Sequence, residues 1–297
     1  MKYHQSVLLK EAADFLNVKA RSLYIDATAG GGGHTFEILK RGGRVLAIDR
    51  DPEAIEHIKN KIKGQRSKVK IGEDLVLVNG NFSKIREIAN EKGFGKVEGI
   101  LFDLGVSSHQ LENAQRGFSF LGEGPLDMRM DRNINVTAYD LINNFDKRRL
   151  YEIFQKFGQE KLSRPIADAI FRARQVKQIE TTTNLANIVS EVYRKYRIKS
   201  KIDPATKVFQ ALRIVVNSEL LNLEQVLPQT VSLLNENGRL VVVSFHSLED
   251  AIVKRFFKDN QDLKVLTKSP IGPRAEELLN NPRSRSAKLR AAEKIKI

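Results

Sequence analysis

Leu23-Tyr24-Ile25-Asp26-Ala27-Thr28-Ala29-Gly30-Gly31-Gly32-Gly33-His34 is the stretch on which the fold turns. Its first five residues read as a strand buried on both faces. The glycines after them let the backbone turn tightly and approach a ligand where a helix begins with unpaired N–H groups. Working outward, Arg44-Val45-Leu46-Ala47-Ile48-Asp49, Leu75-Val76-Leu77-Val78 and Gly99-Ile100-Leu101-Phe102-Asp103 read as three more parallel strands. Helical patterns lie between them at about 34–41, 52–63 and 82–91, the second opened by Asp51 as cap and Pro52 at the first helical position. The βαβαβαβ order predicts an α/β protein with a Rossmann-like doubly wound sheet.

After the fourth strand the alternation stops. A loop over 105–137, rich in Gly, Arg, Asp and Met, leads to helical patterns near 138–144, 147–157, 161–174, 183–196 and 204–222. Strand character returns at 239–245, introduced by Asn237-Gly238 after another helix, and a helix over 248–258 and a short strand over 263–267 follow. The expected organisation is a catalytic domain made of 1–110 and 214–297, interrupted by an all-helical insertion over 111–213.

The Gly-rich turn has an acidic partner. Asp49 ends the second strand about twenty residues on, where a carboxylate accepts hydrogen bonds from ribose hydroxyls. Together they describe a nucleoside-containing cofactor. A dinucleotide fingerprint needs a third glycine, but after Gly30-x-Gly32 that place falls on Thr35 and Phe36. Asp26 ahead of the turn also suits the cationic amino-acid part of S-adenosylmethionine and would repel a pyrophosphate, so the methyl donor is the better reading. Phe82, after Asn79-Gly80-Asn81, is either an aromatic against the adenine edge or a core residue at a helix start. Asp103 closes the fourth strand at the carboxyl edge, where doubly wound sheets place ligands and chemistry; an acid there is costly without a partner.

The chain has 297 residues, 50 Lys plus Arg against 36 Asp plus Glu, a formal net charge of +14 and no Cys. Without cysteine there is no disulfide framework, thiol catalysis or Cys-based zinc site, and the reducing cytosol is the expected compartment. No apolar run approaches the ~18 residues of a membrane span, and Met1-Lys2-Tyr3-His4-Gln5-Ser6 leads into an amphipathic stretch rather than a signal peptide, so no membrane partner is expected. The charge is local. Residues 143–213 hold 16 basic and 7 acidic residues, residues 268–297 hold 8 and 3, and the remainder is neutral. Lys147-Arg148-Arg149, Arg172, Arg174, Arg194-Lys195, Arg197, Lys199 and Lys201, with Arg283 and Arg285 in the tail, are the candidates for phosphate contacts.

At Asp103-Leu104-Gly105-Val106-Ser107-Ser108 the sequence becomes recognisable. With Gly32-Gly33-His34, Ile48-Asp49-Arg50-Asp51-Pro52, Arg116-Gly117-Phe118-Ser119-Phe120, Gly124-Pro125-Leu126-Asp127-Met128-Arg129-Met130-Asp131, Phe209-Gln210-Ala211-Leu212-Arg213-Ile214, Ser244-Phe245-His246-Ser247-Leu248-Glu249-Asp250 and Asn281-Pro282-Arg283-Ser284-Arg285-Ser286, the chain resembles the MraW family from end to end. These are bacterial ribosomal small-subunit RNA cytosine-N4 methyltransferases. The resemblance implies an S-adenosylmethionine-dependent enzyme that methylates the exocyclic amine of one cytidine in the decoding region of 16S rRNA. It places the cofactor residues on Gly32, Gly33, His34, Asp49, Phe82, Asp103 and Gln110, and assigns no metal. His109 stands where the family usually has Pro, Asp203 where it commonly has His, and the stretch after Phe257 is shorter than in many members.

Asp103 is the catalytic candidate: it could bind the cofactor, orient the amine, or do both. The familiar Pro-Pro cradle of amino-methyltransferases is absent, since Leu104-Gly105-Val106 follow. Phe118 and Phe120, with Arg116 and Arg129, either supply a stacking surface and phosphate contacts for a flipped base or pack between the domains. Met128 and Met130 are expected to pack, and Asp127 and Asp131 to pair with Arg129 and Arg132 or hold the loop's shape. His246 is a structural cap or a substrate contact, and Ser247 is expected to cap the helix beginning at Leu248, with Asp250 in the capping box. The partner is 16S rRNA or the small subunit, with a homodimer left open. A small-molecule or protein methyltransferase is disfavoured by where the charge sits, and a non-catalytic RNA chaperone would show no methyl incorporation.

Overall fold

The computed structural model describes residues 6–64 and 69–295. The reading of Met1 to Gln5 as something other than a leader therefore lies outside the described residues, as does Lys296 of the basic tail. In chain order the elements are α1 (Leu9–Leu16), β1 (Leu23–Asp26), α2 (Gly33–Lys40), β2 (Arg44–Asp49), α3 (Pro52–Gly64), β3 (Leu75–Asn79), α4 (Ile85–Glu91) and β4 (Val97–Asp103). Next come α5 (Ser108–Glu112), α6 (Ala138–Asn144), α7 (Lys147–Lys156), α8 (Ser163–Val176), α9 (Thr182–Lys195) and α10 (Thr206–Val216). The chain then runs through α11 (Glu219–Leu233), β5 (Leu234–Ser244), α12 (Ser247–Asp259), β6 (Leu263–Val265), α13 (Ala275–Asn280) and β7 (Lys288–Lys294). It divides into two compact units, Met1–Ser107 with Leu220–Ile297, and Ser108–Glu219.

The first unit is an α/β sheet ordered β3-β2-β1-β4-β5-β7-β6. The first five strands are parallel; β7 runs antiparallel to β5, and β6 antiparallel to β7. Helices cover both faces, which is why the central strands are continuous apolar runs: Ile25, Leu46, Ile48, Ile100, Phe102, Leu240 and Val242 pack to one side, and Tyr24, Val45, Ala47, Leu101, Val241 and Val243 to the other. The chain order reverses between β1 and β4, and beyond the carboxyl ends of the strands at that switch point lies the crevice where doubly wound sheets bind ligands. The expected doubly wound fold is thus the observed one.

Three expectations at the carboxyl-terminal half need correcting. Residues 288–294, counted among a basic tail, form β7, a central strand with Leu289, Ala291 and Ala292 fully buried. Its cations are structural: Arg290 Nε lies 2.6 Å from Asp250 Oδ1 and Lys288 Nζ 3.2 Å from Oδ2. Burial raises the Asp250 carboxyl, but these two cations more than offset it and hold it below the ordinary range. Arg290→Met, which strands Asp250 with Lys288 alone, should cost about 3–5 kcal/mol in urea unfolding. Asn237-Gly238 does not precede the fifth strand but lies inside it: β5 starts at Leu234, and its register against β4 shifts between Val97 and Gly99 as Asn237 takes a φ of 63°. The cap of α12 is His246, whose Nδ1 accepts from Glu249 N at 3.4 Å, and Ser247 is the first helical residue. Helices α1 and α13 were not expected.

The second unit is helical. Thr137 and Asp140 form a capping box on α6, and Asp146 and Thr181 cap α7 and α9. The helix expected over 204–222 breaks at Asn217-Ser218, where Ser218 has φ 50°. The reason is that Asn217 is committed to the 105–137 loop: its Oδ1 accepts from Met130 N at 2.9 Å and its Nδ2 donates to Met128 O at 2.7 Å. That loop is tightly built around Arg116, 2% exposed, which donates to the carbonyls of Arg129 and Met130 and lies over the Phe118 ring. Arg129 pairs with Asp127 at 2.8 Å and donates to Arg132 O and Ile134 O. Burial works against the Asp127 carboxylate, yet Arg129 holds its pKa below the usual value. Phe120 packs edge-to-face on Phe209 at 4.9 Å. So Arg116 and Phe118 are buried and offer no stacking or phosphate surface. Among the described residues, no helix is long and apolar enough to cross a membrane.

Candidate active site

The site lies in the first unit, where four parallel strands end. Beyond β1 the chain passes through Ala27 to Gly32 into α2, with Gly30 at φ 49° and Gly32 at φ 80°. Glycine is required at Gly32, because a Cβ there would come within 2.7 Å of the Phe36 ring and 3.0 Å of Ile58. A Cβ at Gly33 would run into the Ser6 hydroxyl. The turn is stitched to the sheet through Ala27 N to Leu101 O and Ala29 N to Ile48 O, both 2.9 Å. Asp26 belongs to this framework and does not reach a ligand: it is fully buried, accepting from Thr35 Oγ1 at 2.6 Å and Thr28 N at 3.3 Å. Burial raises its pKa, against the pull of His34, Thr35 and Thr28.

Asp49 ends β2 with its carboxylate against the turn. Gly30 N donates to Oδ2 at 2.7 Å and Asp51 N to Oδ1 at 2.8 Å, which leaves each oxygen a further lone pair. Burial pushes the carboxyl up to about 6, opposed by those two N–H donors and by Arg50. The sign for folding is that this raised group contributes stability at low pH that is lost as pH rises through about 6. If Asp49 takes the vicinal hydroxyls of a ribose, as the sequence predicts, the sign for the ligand is opposite, since hydroxyls donate to the ionised form. Affinity for S-adenosylmethionine should therefore be level at neutral pH and fall as pH drops through about 6. Calorimetric titration should also show Asp49→Asn weaker throughout and without that inflection.

Phe82 follows β3 and is buried, its ring 5.6 Å from Phe102 at 89° and under the Arg50 guanidinium at 5.9 Å. It packs in the core cluster, with 7% of its surface exposed. Asp103 ends β4. Its N–H donates to Thr28 Oγ1 at 2.6 Å, and its Oδ2 lies 3.3 Å from Nε2 of His34, the second residue of α2. His34 is 4% exposed. Burial disfavours its charged form, but Asp103 above all, with Asp26 and Glu277, raises its pKa above the ordinary value. Gly32, Gly33, His34, Asp49, Phe82 and Asp103 thus all lie at or just beyond the carboxyl ends of β1 to β4 in the first unit. Gln110 lies buried on α5 in the second.

Sequence reading missed Thr28 and Arg50. Thr28 was legible in register: Asp26 pairs with Leu101, which sets Thr28 opposite Asp103. His246 is a cap, its Nε2 lying 3.2 Å from Glu249 Oε1.

The crevice fits a cofactor. His34 Nδ1 and Asp103 Oδ1 are buried without a hydrogen-bond partner, and at Gly32 and Gly33 the turn beside them has room only for glycine. A doubly wound sheet with this turn, an acid ending β2 and an acid ending β4 defines a Rossmann-fold methyltransferase that uses S-adenosylmethionine. The chain belongs to the MraW methylase family, whose profile matches residues 1–295. It is 42% identical over 316 residues to the ribosomal RNA small subunit methyltransferase H of Halothermothrix orenii, covering 99% of each chain. It is 44% identical over 301 residues to the protein of the same name from Persephonella marina, covering 99% of this chain and 100% of the other. Among solved structures it is similar to an rRNA methylase from Streptococcus thermophilus, at 12% identity and TM-score 0.46 over 96% of this chain and 95% of that one. It is also similar to NSun6 from Pyrococcus horikoshii, at 14% identity and TM-score 0.49 over 99% and 53%.

Proposed function

We propose that this chain methylates the exocyclic N4 amine of one cytidine in the decoding region of 16S rRNA, within the small ribosomal subunit or on its RNA. The observation that carries the reading is Asp103, whose Oδ1 is buried and unpartnered while His34 stands at Oδ2 and Thr28 anchors the backbone. S-adenosylmethionine supplies, when bound, a methyl group on a sulfonium. The turn through Gly32, Gly33 and His34, the Asp49 carboxylate, Phe82 and Gln110 are the residues assigned to hold it. The lone pair of cytosine N4 is delocalised into the ring, and an amine N–H donated to Asp103 Oδ1 favours the rehybridised, nucleophilic nitrogen. Asp103 and His34 fix the direction of that N–H, and the proton lost on methylation leaves to water or a weak base. The target base must leave its stack to reach the strand ends.

The helical unit is assigned to RNA docking. Arg148, 87% exposed, and Arg172, also exposed, are its candidate phosphate contacts. Arg174 is not one: it donates to Ile142 O at 2.6 Å and lies 4.9 Å from the Phe171 ring centre, so it holds the unit together. Arg148→Glu with Arg172→Glu should weaken binding of small-subunit RNA about tenfold, steepest at low salt, and leave S-adenosylmethionine affinity unchanged. The cytoplasm is where this substrate is found, and the reading accommodates a homodimer. The experiment is mass spectrometry of small-subunit rRNA from a strain lacking the protein. One cytidine should lose its N4 methyl group; an unchanged cytidine pattern overturns the assignment.

A further inference from the structure

Residues 194–203 are ten consecutive exposed residues joining α9 to the segment before α10. Arg194-Lys195-Tyr196-Arg197-Ile198-Lys199-Ser200-Lys201-Ile202 carries five cations, and the single acid, Asp203, has its Oδ1 bonded to Ala205 N at 2.8 Å. A solvated loop explains the cations. It does not explain the residues between them: Tyr196 is 51% exposed, Ile198 44% and Ile202 52%. Single exposed apolar residues are ordinary, but three within seven positions, alternating with cations, form a patterned surface.

The local backbone holds them there. Arg197 takes φ 53°, with Arg197 N bonded to Arg194 O and Ile198 N to Tyr193 O, the hydrogen bonds that end a helix in a left-handed residue. Glycine is the usual occupant of that position, and the apolar residue after it usually folds back on the helix. Here the position is a cation, and Ile198 stays exposed.

We infer that residues 194–202 form a grip for an unpaired RNA strand, in which the Tyr196 ring and the Ile198 and Ile202 side chains receive base faces while Arg197, Lys199 and Lys201 meet the phosphates. The inference rests on the reading that the chain acts on RNA and adds the form of RNA this segment takes. Cations alone hold single and double strands alike; an aromatic and apolar side chains between them gain only where bases are unstacked and their faces open. Five cations against the single acid Asp203 leave the segment strongly positive, which complements a polyanion.

The test is fluorescence anisotropy of the full chain with a short labelled single-stranded RNA of mixed sequence and with the matched duplex. Tyr196 is exposed, so Tyr196→Ala should fold, which circular dichroism checks. It should bind the single strand about tenfold more weakly and the duplex as wild type does, and Tyr196→Phe should restore the difference. Lys199→Gln with Lys201→Gln should lower the salt slope of single-strand binding by about 1.4, roughly 0.7 per phosphate contact. The grip is overturned if Tyr196→Ala binds the single strand like wild type, or if it loses both forms of RNA equally. It is overturned also if the variant's loss is of binding to phosphatidylglycerol vesicles and not of RNA binding. Methyl incorporation into small-subunit RNA is scored separately: its absence with the Tyr196 effect intact sinks the methylation assignment alone, and its persistence without that effect sinks the grip alone.

Discussion

Asp103→Ala should lower turnover by about 10²- to 10⁴-fold, the range expected when a positioned acceptor of the reacting amine is removed. The structure assigns the loss to geometry. Thr28 holds the Asp103 backbone at 2.6 Å and His34 stands 3.3 Å from Oδ2, so the remaining oxygen has one direction to offer. Alanine keeps the strand and removes the acceptor. Asp103→Asn keeps shape and one acceptor oxygen without the charge, and should retain more activity than Ala. Turnover near the wild-type value in Asp103→Ala, with S-adenosylmethionine affinity unchanged by calorimetry, would show that Asp103 has no part in the reaction.

The second large effect is on folding. Gly117 has φ 71°, and a Cβ there would stand 2.2 Å from Pro125 O and 2.7 Å from Asp127 N. At Gly124 it would stand 1.9 Å from Ala114 O. In both cases the obstacle is backbone, which cannot rotate away as a side-chain tip can. Gly117→Ala should destabilise by about 4 kcal/mol or more and lower the melting temperature by roughly 10 °C. Gly122→Ala is the control: its Cβ would meet only the Ala114 methyl, at 3.6 Å, and should change stability by no more than about 0.5 kcal/mol. Equal melting temperatures for Gly117→Ala and Gly122→Ala would mean that the 105–137 loop is not built as described.

What was legible in the sequence follows from which forces act locally. The strand over 44–49 and the helix over 138–144 stand where the residues predicted them, because an apolar run and a helix with its cap are decided by near neighbours. Strand β7 was not legible: Arg290 looks solvated until Asp250, forty residues away, pairs with it inside the sheet. Asn217 reads as one more helical residue until the Met128 and Met130 backbone it serves is known. At the site, spacing alone tied the Gly-rich turn to Asp49. That Asp26 turns inward, and that Phe82 is largely packed away, depended on depth, which a sequence does not record.

The position of β7 between β5 and β6 bears on how the protein is made. The helical unit is one continuous stretch, 108–219, complete before the ribosome reaches β5, whereas the sheet is sewn from both sides of it. When β6 emerges it lacks its neighbour: among the described residues its ladder is to β7, some twenty residues later. Until then β5 is an open edge, with Leu240 to Val243 lacking a partner on one side, a state in which strands recruit other chains. The acids and glycines of the site are therefore synthesised well before the sheet can close, and chaperone demand should peak in that interval.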